Sequence, residues 1–461
     1  MNSIKKLWLL WLVVSILVVT YLTYNIGTDE KQAFLPGKAT HGHHQIEMSC
    51  ASCHAEPFGG ADVIQGACIN CHGADLKEAR DSHPKSKFTN PRNASRVKVL
   101  DARECITCHT EHKHEITQSM GVTLPDDFCF KCHADIEDDR PSHKGIDFKT
   151  CATGGCHNYH DNRALYEDFL AKHLNDDVMI ENGQNPSRSL ANDLVLMSNY
   201  PVKRYPLKAI TENSIDPLIS VSDKKNVKKD WLITSHSKAG VNCSACHNEK
   251  QNNGKIVWSN KPSYETCRSC HSFEVEGFLS GKHGMRLKEG LGAMTPEMAR
   301  QPMRKDAHGK QLSCGSCHTA HNFDVRDAAV EACLNCHNDK HSRAYKKSPH
   351  FNTWHAEITG KSMANTGVSC ATCHMPRKEV KNGDVSITLA EHNQNMNLRP
   401  NEKMVREVCM NCHGLGFSID ALADKKLIEG NFSGVPSVHI ESLNMVTKRL
   451  SNSKKLKEED R

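Results

Sequence analysis

The sequence predicts a mainly α and irregular chain: two cysteine-rich modules behind a single N-terminal transmembrane helix. Three observations carry this. Hydrophobic residues are 38% of the 461 and aromatics 6%, a sparse supply for an interior of this size if side chains alone must fill it. The chain has 22 cysteines and 29 histidines, and every cysteine belongs to a pair followed at once by histidine. Alternating strand patterns are scarce, so short helices and turns are expected to carry those pairs.

The N-terminal element comes first. Leu7 to Tyr24 is an 18-residue run without a charge, preceded by Lys5 and Lys6 and followed by Asp29, Glu30 and Lys31. Such a run just crosses a bilayer core as a helix, and the lysine pair places its N-terminus in the cytoplasm. A cleavable signal has a shorter apolar region and an A-x-A-like site, and neither is evident. Residues 1–30 therefore read as an uncleaved single-pass anchor in a bacterial inner membrane, with the bulk of the chain in the periplasm. Trp8 and Trp11 read as lipid-facing bulk.

Ten cysteine pairs have the form C-x-x-C-H: Cys50/Cys53/His54, Cys68/Cys71/His72, Cys105/Cys108/His109, Cys129/Cys132/His133, Cys243/Cys246/His247, Cys267/Cys270/His271, Cys314/Cys317/His318, Cys333/Cys336/His337, Cys370/Cys373/His374 and Cys409/Cys412/His413. The eleventh is longer, Cys151/Cys156/His157. This spacing is what c-type haem attachment needs: two thiols add to the vinyl groups of one porphyrin edge, and the following histidine swings under the ring to the iron. A single copy would leave zinc knuckles or redox pairs open. Eleven copies that consume every cysteine point to eleven covalently attached haems, and they exclude a disulfide framework and a free catalytic thiol. The fold class is then a haem-packed multihaem cytochrome c, with porphyrins in place of an apolar core.

Six-coordinate iron needs a ligand on its other face, usually His or Met in an electron carrier. Eighteen histidines remain outside the motifs, enough for bis-histidine ligation throughout. His41, His43, His44, His83, His112, His114, His143, His160 and His173 lie near the first five motifs. The others are His236, His283, His308, His321, His341, His350, His355, His392 and His439. From these, His83, His112, His143, His173, His321 and His392 are nominated as distal ligands, against the alternative of surface or propionate contacts. Two propionates per haem also outweigh the formal +5 of the polypeptide, so the sequence pI of 8.3 is no argument for nucleic-acid binding.

Successive motifs begin 18 to 47 residues apart, except for 92 residues between Cys151 and Cys243. That interval separates a pentahaem module, 40–175, from a hexahaem module, 231–445. Residues 176–230 contain neither Cys nor His and read as a connector with one short strand or helix; 446–461 read as a charged, frayed tail. Two helical segments are expected near the end. One runs from an Asn401 cap to Asn411, the other from a Ser418 cap through Leu427 to Gly430.

Within 231–445 an internal repeat appears: WLITSHSKAGVNCSACH (231–247), FLSGKHG (278–284) and SPHFNTWHAEITGKSMANTGVSCATCHMPR (348–377). With LRP (398–400), VCMNCHG (408–414) and the CHMP element at Cys373 to Pro376, these resemble the hydroxylamine oxidoreductase and cytochrome c nitrite reductase superfamily over roughly 210 residues. The resemblance implies that the S-x-H-type histidines His236, His283 and His350 ligate neighbouring haems. The first module, with the CHTEH run at Cys108 to His112, resembles class III tetrahaem and related pentahaem periplasmic carriers. The join of anchor and modules is similar in plan to membrane-anchored quinol-oxidising cytochromes.

Two functions compete: a relay with every iron closed, and a reductase of nitrite or hydroxylamine at an open haem. All eleven motifs end in His, unlike the C-x-x-C-K motif of the nitrite reductases. The chain has no Tyr after Tyr345, which argues against hydroxylamine oxidation, where that family uses a late tyrosine. The resemblance nominates His341 as the catalytic proton donor, with Arg343 or Lys340 attracting an anion, against the alternative that His341 ligates iron. The open haem would be that of Cys267/Cys270/His271, chosen by order in the module. The favoured expectation is electron relay from quinol or a quinol dehydrogenase to a periplasmic or outer-membrane redox partner.

Overall fold

In the computed structural model the chain is described over residues 3–27, 31–56, 59–140, 143, 158–161, 167–188, 193, 196, 200–217, 225–250, 253–382, 384–394, 401–440 and 442–459. Cys151, Cys156 and His157, the longer motif, lie outside the described residues. The chain divides into two units, Met1–Ala134 with Glu289–Gly292, and Asp135–Lys288 with Ala293–Arg461.

The first unit begins with α1 (Ser3–Gly27), whose apolar side chains are exposed along its length. By length and composition it can cross a membrane, and a signal sequence would pass the same test. Helix α2 (Ala61–Ala79) carries the second cysteine pair in its middle and closes on Arg80 in the left-handed region, at φ 53°. The rest is short turns. Among the described residues of this unit only Ala39, Thr40 and Gln45 are buried, so side chains form no apolar core there.

The second unit is helical with two small hairpins. Strands β1 (Asn248–Lys250) and β2 (Ile256–Trp258) pair antiparallel, Asn248 opposite Trp258. Helices α3 (Ser272–Ser280), α4 (Lys340–Ala344) and α5 (Pro349–Ile358) follow. Strands β3 (Arg377–Asn382) and β4 (Val385–Ala390) form the second hairpin, in register from Arg377 opposite Ala390 to Asn382 opposite Val385. Burial of Ile387 and Leu389 holds it; alternation over VSITLA was its signal.

One apolar core exists, at the C-terminal end of this unit. Helices α6 (Asn401–Glu407), α7 (Leu415–Ala423) and α9 (Ser442–Glu459), with the helix Glu167–Lys172, bury Leu170, Met404, Val405, Val408, Leu415, Ile419, Leu422 and Val446 together. Three expectations are corrected here. Asn401 is the first residue of α6, which stops at Glu407 and gives way to a 3-10 turn at Cys409–Asn411. Ser418 is no cap: it is interior to α7, its hydroxyl donating to the Gly414 carbonyl at 2.8 Å. Asp424 instead caps a separate helix, α8 (Lys425–Glu429), which ends at Gly430 as expected. The C-terminal stretch is helical to Glu459, because Val446 anchors it in the core.

The described part of 176–217 is laid along the body of the second unit. Ile180 N–H donates to the Cys412 carbonyl at 2.9 Å and Asn185 N–H to the Asn365 carbonyl at 2.9 Å, while the Ile210 N–H reaches Ser237 O at 2.9 Å. Asp216 accepts from the Ser244 N–H at 3.1 Å and from its hydroxyl at 2.5 Å. A segment without cysteine thus supplies backbone around three motifs.

Candidate haem centres

The described cysteine pairs are wound into single turns. The N–H of the motif histidine donates to the first cysteine's carbonyl four residues back, at 2.8 Å for His54 and His413, 2.9 Å for His109, His271, His318 and His337, and 3.0 Å for His133. Local caps preform these turns: Asn242 accepts from the Cys243 N–H, and Ser313 with Ser316 and Ser369 with Thr372 form reciprocal capping boxes. None of the described cysteines is in a disulfide. Across motifs, the Cys68 thiol lies in contact with Cys105, Cys267 with Cys314, and Cys333 with Cys370.

The sequence nominates all of these thiols alike, and the structure separates them. Burial pushes the thiols of Cys53, Cys108, Cys246, Cys336 and Cys412 up, and those of Cys317, Cys373 and Cys409 up to about 12. Three second cysteines of their pairs depart from that enclosure. Cys71 is exposed on α2, and so is Cys50 before the first turn of its own motif. Cys132 and Cys270 are only half-buried, with Cys270 Sγ 3.8 Å from the Ser269 hydroxyl. A uniform assignment is corrected to this extent: side chains enclose most of the thiols, whereas for Cys71, Cys132 and Cys270 the C-x-x-C-H spacing alone carries the thioether reading. The physical reason differs by place. Cys71 and Cys132 belong to the unit without an apolar core, and Cys270 follows the exposed Ser269, just past the end of the short helix Tyr264–Arg268.

The second unit sets a non-motif imidazole against every motif imidazole of 231–445. Ring centroids are 6.0 Å apart for His247 and His321, 5.9 Å for His271 and His236, and 6.3 Å for His318 and His392. The remaining pairs are His337 with His283 at 6.2 Å, His374 with His341 at 6.1 Å, and His413 with His350 at 6.3 Å. In the first unit His72 faces His43 at 5.8 Å and His133 faces His83 at 6.1 Å. With metal–imidazole bonds of about 2.0–2.1 Å and a ring nitrogen about 1.1 Å from its centroid, two imidazoles on opposite faces of one ion would sit about 6.2 Å apart. The residues present therefore fit a haem iron between each pair.

Tautomers agree with that fit. Backbone carbonyls take the Nδ1 side of His247 (Ser259 O, 2.6 Å), His413 (Val178 O, 3.2 Å), His341 (Ile428 O, 2.5 Å) and His392 (Ala390 O, 2.8 Å), which leaves Nε2 for a metal. Burial pushes the imidazoles of His236, His283, His318, His350 and His374 down to about 4, so they are neutral at neutral pH, the form that ligates. His321 adopts φ 74°, a left-handed conformation that its neighbours must hold.

Buried donors are also left over. Trp231 Nε1, Trp258 Nε1, Tyr200 Oη and Arg188 Nε have no partner among the described residues. An orphaned buried donor costs about 1–3 kcal/mol, so an acceptor belongs beside each. Trp231 stacks on His236 and Trp258 on His247, at 5.8 Å and 4.7 Å. Haem propionates are carboxylates of the right chemistry for these places.

Of the residues nominated from the sequence, His83, His236, His283, His321, His350 and His392 face motif imidazoles. His112 and His173 are seated otherwise: His112 Nδ1 is 2.9 Å from Gly37 O, and His173 Nδ1 is 2.9 Å from Asp176 with Phe169 against its ring. His143 is described as a single half-buried residue between segments that are not. His341, nominated as proton donor, faces His374, and Lys340 is paired with Glu429 at 3.1 Å. The motif chosen for an open iron, Cys267/Cys270/His271, has His236 across from its histidine. His43 was absent from the nominations. The run His41 to His44 offers three imidazoles with nothing local to choose among them.

The turns, the paired imidazoles and the thiol contacts define a multihaem c-type cytochrome, a class of electron-transfer proteins, and comparison with known proteins agrees. A family described as cytochrome c3 matches residues 42–134. The chain is also similar to cytochrome c-552 of Haemophilus ducreyi, 26% identical over 148 residues that cover 26% of this chain. It spans 27% of the length of that relative.

Proposed function

We propose that this chain is a membrane-anchored undecahaem relay that moves electrons between the quinol pool, or a quinol dehydrogenase, and a periplasmic or outer-membrane acceptor. The observation that carries this reading is the opposed imidazole found for each of the six motifs of 231–445. An iron held between two imidazoles has no face for a substrate, so the reductase alternative has no vacant position in that stretch. Bound haem supplies a one-electron ferric/ferrous couple. The protein's own residues ligate, fix tautomers and exclude water. Thiol contacts between motifs bring attachment sites edge to edge: Cys68 with Cys105, Cys267 with Cys314, and Cys333 with Cys370. Such neighbours suit transfer along the chain order rather than chemistry at one centre. Helix α1 supports anchoring near a membrane donor, with the N-terminus cytoplasmic by its lysines.

The test is EPR and optical spectroscopy of the full-length protein in detergent, oxidised and reduced, with and without nitrite or hydroxylamine. The relay predicts low-spin spectra that neither molecule perturbs, with eleven haems per chain by pyridine haemochrome. A high-spin ferric signal that shifts on adding nitrite would establish the reductase instead.

A further inference from the structure

The loop 37–44 is pinned to the third motif's flank by one carboxylate. Glu111, two residues beyond His109, lies with Oε1 2.6 Å from His43 Nδ1. The Thr40 hydroxyl donates to the same oxygen at 2.9 Å, and the Thr40 N–H donates to Oε2 at 2.9 Å. Thr40 is buried, and its carbonyl accepts from the N–H groups of His43 and His44 at 3.2 and 3.0 Å, so the imidazole sits on a closed turn. Burial alone would raise the Glu111 carboxyl, but His43 and Thr40 together hold it down to about 2. The carboxylate is therefore ionised at any physiological pH.

We infer that Glu111 is a positioning residue that makes the haem of Cys68/Cys71/His72 a low-potential station, by pulling on the Nδ1 proton of its distal ligand His43. This rests on the reading of His43 as the ligand opposite His72. A carboxylate bonded to Nδ1–H gives the imidazole imidazolate character, strengthens its donation through Nε2, and favours the ferric state. Distal imidazoles in the second unit lean on neutral partners instead, His341 on Ile428 O and His392 on Ala390 O. The Glu111 charge also belongs to the flank of the third motif, whose Cys105 touches Cys68. The two attachment sites thus share one anionic group, and removing it is felt first at the haem whose ligand it holds.

The experiment is spectroelectrochemical titration and low-temperature EPR of the full-length protein carrying Glu111→Gln, which keeps an acceptor oxygen but removes the charge. One haem's share of the absorbance amplitude is expected to move to higher potential, with one low-spin signal changing its g-values and no high-spin signal appearing. Glu111→Asp should restore part of the shift. His43→Ala separates the two layers of the argument: one haem becoming high-spin, at unchanged haem content, supports His43 as ligand. All-low-spin spectra in that variant would overturn the ligand reading. A Glu111→Gln titration curve superposable on the parent, beside a high-spin His43→Ala, would overturn the tuning role alone.

Discussion

His341 faces His374 across 6.1 Å between ring centroids, with its Nδ1 on the Ile428 carbonyl at 2.5 Å and its Nε2 beside Asn431 Nδ2 at 3.2 Å. An imidazole so tethered is aimed, and its aim is the position an iron above His374 would take. The same side chain is what a proton donor to a bound nitrogen oxyanion would look like in sequence, four residues past His337. Which role it has depends on the neighbour it faces, and that neighbour belongs to a different motif.

His341→Ala is expected to open one iron. In the full-length protein one haem's share of the spectrum should turn high-spin and bind nitrite or carbon monoxide, which the parent does not. Because Asn431 Nδ2 also donates to the His341 backbone carbonyl at 3.2 Å, the loop 430–434 keeps a backbone tether in the variant. Loss of nitrite reduction without any change of spin state would contradict the ligand assignment and restore the catalytic one.

The attachment sites were legible in the sequence because their chemistry is local: two thiols and an imidazole within one turn, repeated until no cysteine is left. How far each thiol is enclosed was not legible, since Cys71 and Cys373 stand in the same motif and only one of them is buried by what packs around it. Distal partners are long-range and were legible only in part. His321 stands three residues beyond His318 yet faces His247, and His392 serves His318 from beyond the next two motifs. Proximity in sequence points to the wrong ring in both cases. His43 needed Glu111 to single it out from His41 and His44. In the same way Ser418 carries a good capping side chain, but burial of Leu415 and Ile419 extends α7 past it and leaves the cap to Asp424.

Asp424 gives a pH dependence outside the haem sites. Its carboxylate accepts from the N–H groups of Lys426 at 2.9 Å, Leu427 at 3.0 Å and Ser437 at 2.8 Å, and from the Ser437 hydroxyl at 2.7 Å. Those bonds hold it at about 2, below the ordinary 3.8. A depressed folded-state pKa means that the charged form stabilises the fold; the contribution is complete above 3.8 and is lost as pH falls from there toward about 2. Asp424→Asn should lower the melting temperature at pH 6 and flatten its fall between pH 4 and 2, so the two curves converge in acid. Parallel curves would show that another carboxylate governs acid unfolding.

Leu415 is fully buried in the apolar core of α6, α7 and α9. Leu415→Ala should cost about 2–5 kcal/mol of that region's stability, the range for truncating a buried leucine. Thioether attachment keeps the haems on the chain regardless. Hydrogen exchange should therefore report faster opening of α7 and α9, with pigment content and spin state unchanged; equal exchange in both proteins would mean that haem packing alone holds this end.

Gly414 ties the cysteine-free segment to the last motif. A Cβ there would stand 2.3 Å from the Asp177 carbonyl oxygen, so Gly414→Ala must push the 176–183 strip away. Three bonds go with it: Gly414 N–H to Val178 O at 3.3 Å, Ile180 N–H to Cys412 O at 2.9 Å, and the Val178 carbonyl on His413 Nδ1 at 3.2 Å. Overpacking of this kind costs about 1–3 kcal/mol. Limited proteolysis should then cut within 176–183, where the parent resists. The EPR signal of one low-spin haem should change as well, because His413 loses the carbonyl that fixes its ring. A variant with the parent's protease pattern and spectra would show that this strip is not what holds the last site.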